Sequence, residues 1–177
     1  MISLFSSFLI LATSAKLSFS QPPAIIHIGD EFRVYVYVSS GRRQTTGTDA
    51  VIVYDPKILS LTKILPGTAY PIYPPNLQDI DNLHGKTRIS GIINQNSPLV
   101  AEGVFAEVFF KAKRRGTTKI GFDWQPDQTD ESNIVPFGGG IDLLTEKPEE
   151  INVVIEPTSF WQKILELINK FLGYLGL

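Results

Sequence analysis

Between residues 24 and 156 apolar and polar positions alternate with a period of two, and no helical period interrupts them. Side chains that point in turn to opposite faces mark half-buried strands, and such strands at regular spacing predict an all-β sandwich. In the first clear run Phe32, Val34, Val36 and Val38 share one face, with Tyr35 and Tyr37 opposite. A second run sets Val104, Ala106, Val108, Phe110 and Ala112 against Phe105, Glu107, Phe109, Lys111 and Lys113. The stretch Thr48 to Pro56 (TDAVIVYDP) is different. There Ala50, Ile52 and Tyr54 share one face and Val51 and Val53 the other, so both faces are apolar and the strand is predicted to be central. Asp55-Pro56 ends it, because proline cannot donate to a ladder and Asp before it favours a turn.

Further runs complete the pattern. Ala24 to Ile28 reads as an edge strand and Ser39 to Gly47 as a polar loop, while Leu59, Leu61 and Ile64 alternate loosely before Pro66-Gly67. Pro71, Pro74 and Pro75 make 69–76 extended and irregular. Lys86 to Ile93, Thr117 to Trp124 and Ile151 to Ile155 are strands again. The predicted core, between sheets about 10 Å apart, contains Phe32, Val34, Ile52, Tyr54, Val108, Phe110, Ile120, Phe122 and Val153.

Both ends depart from this pattern. Leu4 to Ala12 is a continuous apolar run followed by Thr13-Ser14-Ala15 and then by Ser18-Phe19-Ser20, two small-residue sites of the kind that end a secretory leader. The run is too short to span a bilayer, which takes about 20 apolar residues. Residues 1–20 are therefore expected to be a signal peptide, although Met1-Ile2-Ser3 carries no Lys or Arg. At the other end, 158–177 is expected to be an amphipathic helix capped by Ser159 with Gln162 three residues on. Its polar stripe faces away from Trp161, Leu165, Ile168, Phe171 and Leu172, which suit a membrane surface, a second copy or the sandwich itself.

Two of these blocks, Thr48 to Pro56 and Glu102 to Gly116 (EGVFAEVFFKAKRRG), stand in this order before Gly116 to Phe122 (GTTKIGF) and Ser132 to Val135. Together they resemble the cohesin domains of cellulosomal scaffold proteins over 23–156. The resemblance implies a jelly-roll β-sandwich of about nine strands. It also implies a role in which one sheet face holds a small calcium-loaded partner module, the dockerin.

Composition narrows the chemistry. The 177 residues suffice for one domain with its own core, and a formal charge of −2 with scattered Lys and Arg gives no stripe for nucleic acid. With no cysteine there is no disulfide, thiolate metal site or cysteine nucleophile. His27 and His84 lie far apart without metal-ligand companions, and Gly138-Gly139-Gly140 is followed by no helix that would make it a phosphate cradle. Asp127, Asp130 and Glu131 lack the EF-hand spacing and glycine. No metal or cofactor is predicted, and no residue set reads as catalytic. The expectation is an exported, cell-surface binding module rather than an enzyme. Its partner is predicted to be a protein held by Tyr35, Tyr37, Asn94, Phe105 and Phe109 on an outward sheet face. The alternative is a carbohydrate-binding sandwich, with Tyr70, Tyr73 and Trp124 stacking on the rings of a polysaccharide.

Overall fold

The computed structural model describes residues 14–94, 97–126, 128, 130–157, 164, 168 and 171–174. Nine strands follow one another: β1 (Lys16–Phe19), β2 (Glu31–Tyr54), β3 (Leu59–Pro66), β4 (Asp79–Asp81), β5 (Lys86–Ile92), β6 (Leu99–Ala112), β7 (Gly116–Phe122), β8 (Asn133–Pro136) and β9 (Ile151–Ile155). All their pairings are antiparallel.

The long strand β2 belongs to both layers. Its first part, 31–39, lies between β1 and β6, with β3 beyond β6. Its second part, 44–54, lies between β5 on one side and β8 and β7 on the other, with β4 beyond β5 and β9 beyond β7. The corner falls at Gly41 and Arg42, both left-handed at φ 63° and 65°, where the register against β6 shifts. The polar loop expected at Ser39 to Gly47 is thus a bend within one continuous strand. Gln44 and Thr45 find partners in Val100 and Leu99, so long-range ladders satisfy a backbone whose side chains carry no strand signal.

All nine predicted core residues are buried. Phe110 is the hub of an aromatic group, 5.8 Å from Phe32 and edge-on to Tyr54 at 5.2 Å. Phe19 stacks on Phe122 at 4.1 Å. Burying a side chain of this size contributes about 1.5–3 kcal/mol.

Two further expectations change. First, Phe105 does not face outward. Val36 lies opposite Ala106 and Tyr37 opposite Val104, so Phe105 is an extra, unpaired residue at a β-bulge. The bulge reverses the alternation there, and Phe105 is fully buried while Val104 is only half-buried. Its ring meets Tyr70 at 5.8 Å and Tyr73 at 5.6 Å. Gly91 makes room for them, since a Cβ there would lie 2.8 Å from both the Phe105 and Tyr70 rings. Second, Ala24 to Ile28 is no strand and makes a single parallel bridge, His27 to Glu156. Within the stretch expected to be a leader, Lys16–Phe19 is a paired strand with Leu17 and Phe19 buried.

Residues 1–13 lie outside the described residues, as do Trp161 and Leu165 of the expected terminal helix. Ile164, Ile168 and Phe171 to Tyr174 are helical, with Ile168, Phe171 and Leu172 exposed. Among the described residues no helix is long and apolar enough to cross a membrane.

Candidate functional site

The first half of β2 turns alternate residues toward solvent, whereas in the second half Val51 is buried and Asp49 half-buried, and the two outer surfaces have different chemistry. On the β3-β6-β2-β1 layer, Tyr37 is 37% exposed and Tyr35, Glu107 and Phe109 are half-buried. Arg33 lies at the centre. Its guanidinium donates to Glu107 Oε2 at 2.8 Å and sits 4.6 Å from the Tyr35 ring centroid and 5.9 Å from that of Phe109. Lys63 covers Phe109 from the other side at 5.8 Å, and Tyr35 and Tyr37 are tilted rings 6.2 Å apart. Three of the five residues expected on one partner-binding face, Tyr35, Tyr37 and Phe109, therefore do meet, although their neighbours within the chain already engage them. Asn94 is exposed but belongs to the β5–β6 loop, and Phe105 is in the core.

The outer surface of the β4-β5-β2-β8 layer is polar at its centre and apolar at its flanks. Asp49 projects from the middle of β2 and its carboxylate accepts from three neighbours: Ser90 Oγ, Arg88 Nη1 at 3.3 Å and Asn133 Nδ2 at 3.5 Å. Arg88 also donates to the Asp130 carbonyl. Lys86 donates to Asp123 Oδ2 at 2.6 Å. Around these two cations stand the carboxylates of Asp49, Asp79, Asp81, Asp123, Asp130, Glu131 and Asp142, so the surface is strongly acidic. Loss of water contact, reinforced by Asp123 and Asp130, raises the Glu131 carboxyl above its ordinary range. His84 has the opposite effect on Asp81, holding it low through a 2.5 Å hydrogen bond.

Two clefts indent this surface. One of about 330 Å³ runs between Val51 and Arg88 on one side and Leu77 and Asp79 on the other. The second, about 170 Å³, lies between Asp49, Asn133, Val135 and Asp142. Their flanks expose large apolar side chains. Leu77 and Leu83 (80% exposed) stand on the β4 side, and Val135, Phe137 and Ile141 (77% exposed) on or just beyond β8. The turn carrying Ile141 is held by Asp142, whose Oδ1 accepts from the backbone N–H of Ile134 at 2.8 Å and of Leu144 at 2.9 Å.

The aromatic residues expected to form a sugar platform are used elsewhere. Tyr70 is buried, and its hydroxyl shares hydrogen bonds with Thr48 at 2.7 Å and Thr45 at 3.3 Å. Tyr73 is half-buried against Phe105, and burial pushes its hydroxyl up to about 12. Trp124 is half-buried and donates its indole N–H to the Leu144 carbonyl at 3.0 Å.

Sequence reasoning passed over Asp49, although a carboxylate inside an apolar central strand was a visible signal. Its partners come from 39 to 84 residues away in the chain, which no local pattern reports. Of the acidic group at 127–131, Asp127 lies outside the described residues. Among the described residues no group of His, Cys, Asp and Glu is arranged to hold a metal ion.

Comparison with known proteins gives a consistent result. The family model described as the cohesin domain matches residues 22–135. Among solved structures, a chain of a type I cohesin–dockerin complex from Clostridium thermocellum superposes with a TM-score of 0.61 at 14% identity. That match covers 81% of this chain and 100% of the other. The second type II cohesin module of the adaptor scaffoldin ScaA from Acetivibrio cellulolyticus gives 0.62 at 13% identity, covering 86% and 96%. The cohesin module of a family 33 glycoside hydrolase from Clostridium perfringens gives 0.59 at 12%, covering 82% and 99%. At these identities the likeness establishes the sandwich fold alone. No curated protein matches the chain.

Proposed function

Because the chain belongs to the cohesin domain family, we propose that it is an exported, non-catalytic module that captures a protein partner on the acidic outer surface of the β4-β5-β2-β8 layer. One observation carries this reading: exposed Leu77 and Leu83 on one flank and Val135, Phe137 and Ile141 on the other enclose a polar network centred on Asp49. Apolar anchors beside oriented polar groups are the anatomy of a protein interface, and clustered exposed apolar side chains on a soluble surface mark one. The surplus of carboxylates selects a partner with a basic rim, which would be steered to the surface at low ionic strength.

A small dockerin-like module is the partner class that the similar structures suggest, since the first of them is a complex with a dockerin. The exposed apolar residues Ile168, Phe171 and Leu172 support a role for 158–177 in holding the module to a membrane surface or to another copy. Deleting that segment and measuring liposome flotation tests the membrane part, and unchanged flotation removes it.

The binding reading is tested by immobilising the chain and capturing proteins from the secreted fraction of its source organism. Capture is expected to be lost in Leu83→Asp and Val135→Asp and kept in Tyr37→Ala. The reverse pattern would move the site to the other layer. Sugar binding on a glycan array that disappears in Trp124→Ala would instead favour the carbohydrate alternative.

A further inference from the structure

We propose that the export leader is removed between Ala15 and Lys16, so that β1 is the first strand of the exported domain. This rests on the export reading above. The sequence contains two small-residue sites, Thr13-Ser14-Ala15 and Ser18-Phe19-Ser20. The fold distinguishes them. A cut after Ser20 discards β1 and with it the ladder from Lys16 opposite Ser39 to Phe19 opposite Val36. It uncovers Phe122, on which Phe19 stacks at 4.1 Å, and removes buried Leu17. It also breaks the pair of hydrogen bonds at Ser20, whose N–H donates to the Tyr35 carbonyl at 2.9 Å and whose Oγ accepts from the Tyr35 N–H at 3.0 Å. A cut after Ala15 keeps every one of these.

A second observation agrees. Ala15, Lys16 and Leu17 share a cleft of about 270 Å³ with Glu146 and Glu149. Hydrolysis of the Ala15–Lys16 amide consumes one water, leaving a carboxylate on Ala15 and an ammonium on Lys16. The cleft holds the carboxylates of Glu146 and Glu149 beside the ammoniums of Lys16 and Lys147, of which Lys147 is already paired with Glu150 at 3.6 Å, so the new ammonium has carboxylates within the same cleft. In the uncut chain Ala15 is 4% exposed, so the bond is out of reach once the sandwich has formed around it, and the cut gives up this one buried methyl. The cut must therefore precede folding, as it does in a chain threaded unfolded across a membrane.

The experiment is to express the full chain in a secreting host and to determine the intact mass and first residue of the exported protein. A first residue of Lys16 is expected. Gln21 or any later start overturns the proposal while leaving the export reading intact. A chain that stays in the cells with Met1 in place overturns both. Ala15→Tyr, which fills the small-residue position, is expected to abolish processing, and Ser18→Tyr to leave the start at Lys16. In a separate comparison, a chain beginning at residue 21 is expected to melt at least about 10 °C below one beginning at residue 16. Equal melting temperatures would remove the structural reason for the choice.

Discussion

The two outer surfaces are built from the two halves of one strand, yet one is chemically closed and the other open. On the β3-β6-β2-β1 layer, Arg33, Lys63, Glu107 and the rings of Tyr35 and Phe109 satisfy one another, leaving little for a ligand to gain. On the β4-β5-β2-β8 layer the polar groups are also paired, but the pairing leaves seven carboxylates around two cations and five large apolar side chains in water. Under the proposed function, unbalanced charge beside exposed apolar area guides the choice of surface better than aromatic content does, because those are the terms that association can still improve.

The comparison can be broken most directly through what the surfaces share. Both layers rest on Phe110, so Phe110→Ala is expected to cost about 3–5 kcal/mol in a denaturant titration, with both layers unfolding in one transition. A loss under about 1 kcal/mol would mean that the two sheets do not depend on a common core.

The next effect separates the surfaces. Asp49→Ala leaves the donors of Arg88 and Ser90 without their carboxylate and is expected to cost about 1–3 kcal/mol, with partner capture lost as well. If capture survives in a variant that remains folded, the acidic network is structural only.

A pH titration sharpens the contrast between the core and both surfaces. Burial raises the Tyr73 hydroxyl from 10.0 to about 12, and raises Tyr70 and Tyr54 in the same direction. A raised folded-state value means that stability is fully present below the unfolded value and declines as pH climbs through the folded one. The decline is expected to begin near pH 10 and, for Tyr73, to end near pH 12. Its size is about 1–2 kcal/mol for Tyr73, discounted for a half-buried ring. Denaturation midpoints of Tyr73→Phe across that window should fall less steeply than those of the parent chain, and identical slopes would refute the assignment.

The smallest effect belongs to the closed surface. The Arg33–Glu107 pair is exposed on one side, and exposed pairs contribute under about 1 kcal/mol. Arg33→Ala is expected to lower stability by no more than that, with capture unchanged. Loss of capture in this variant would overturn the ranking of the two surfaces.

Much of the fold could be read from the chain because strand alternation is a local property. Val34, Val108 and Phe110 fall on the core face because their neighbours of opposite character alternate with them, and Val51 and Val53 marked β2 as central because both its faces are covered. The alternation misleads at Phe105, where a single unpaired residue shifts the phase and only the register against β2 reveals it. At Ser39 to Gly47, Gly and polar residues carry the signature of a loop, while the ladder there depends on β6 and β8. Tyr70 resembled an exposed ring beside Pro71, yet Thr45 and Thr48 supply its hydroxyl with partners in the interior.

The amino-acid sequence by itself determined the all-β class, the core residues and the absence of cysteine chemistry, each from residue type and local periodicity, and its motifs carried the resemblance to the cohesin family. Tertiary structure alone decided which outer surface leaves large apolar side chains and carboxylates exposed, which aromatic rings are spent in packing, and that Lys16–Phe19 pairs with β2. Those outcomes depend on pairs such as Asp49 with Arg88 and Phe19 with Phe122. Residues far apart in the chain acquire a joint meaning only when folding brings them within a few ångströms.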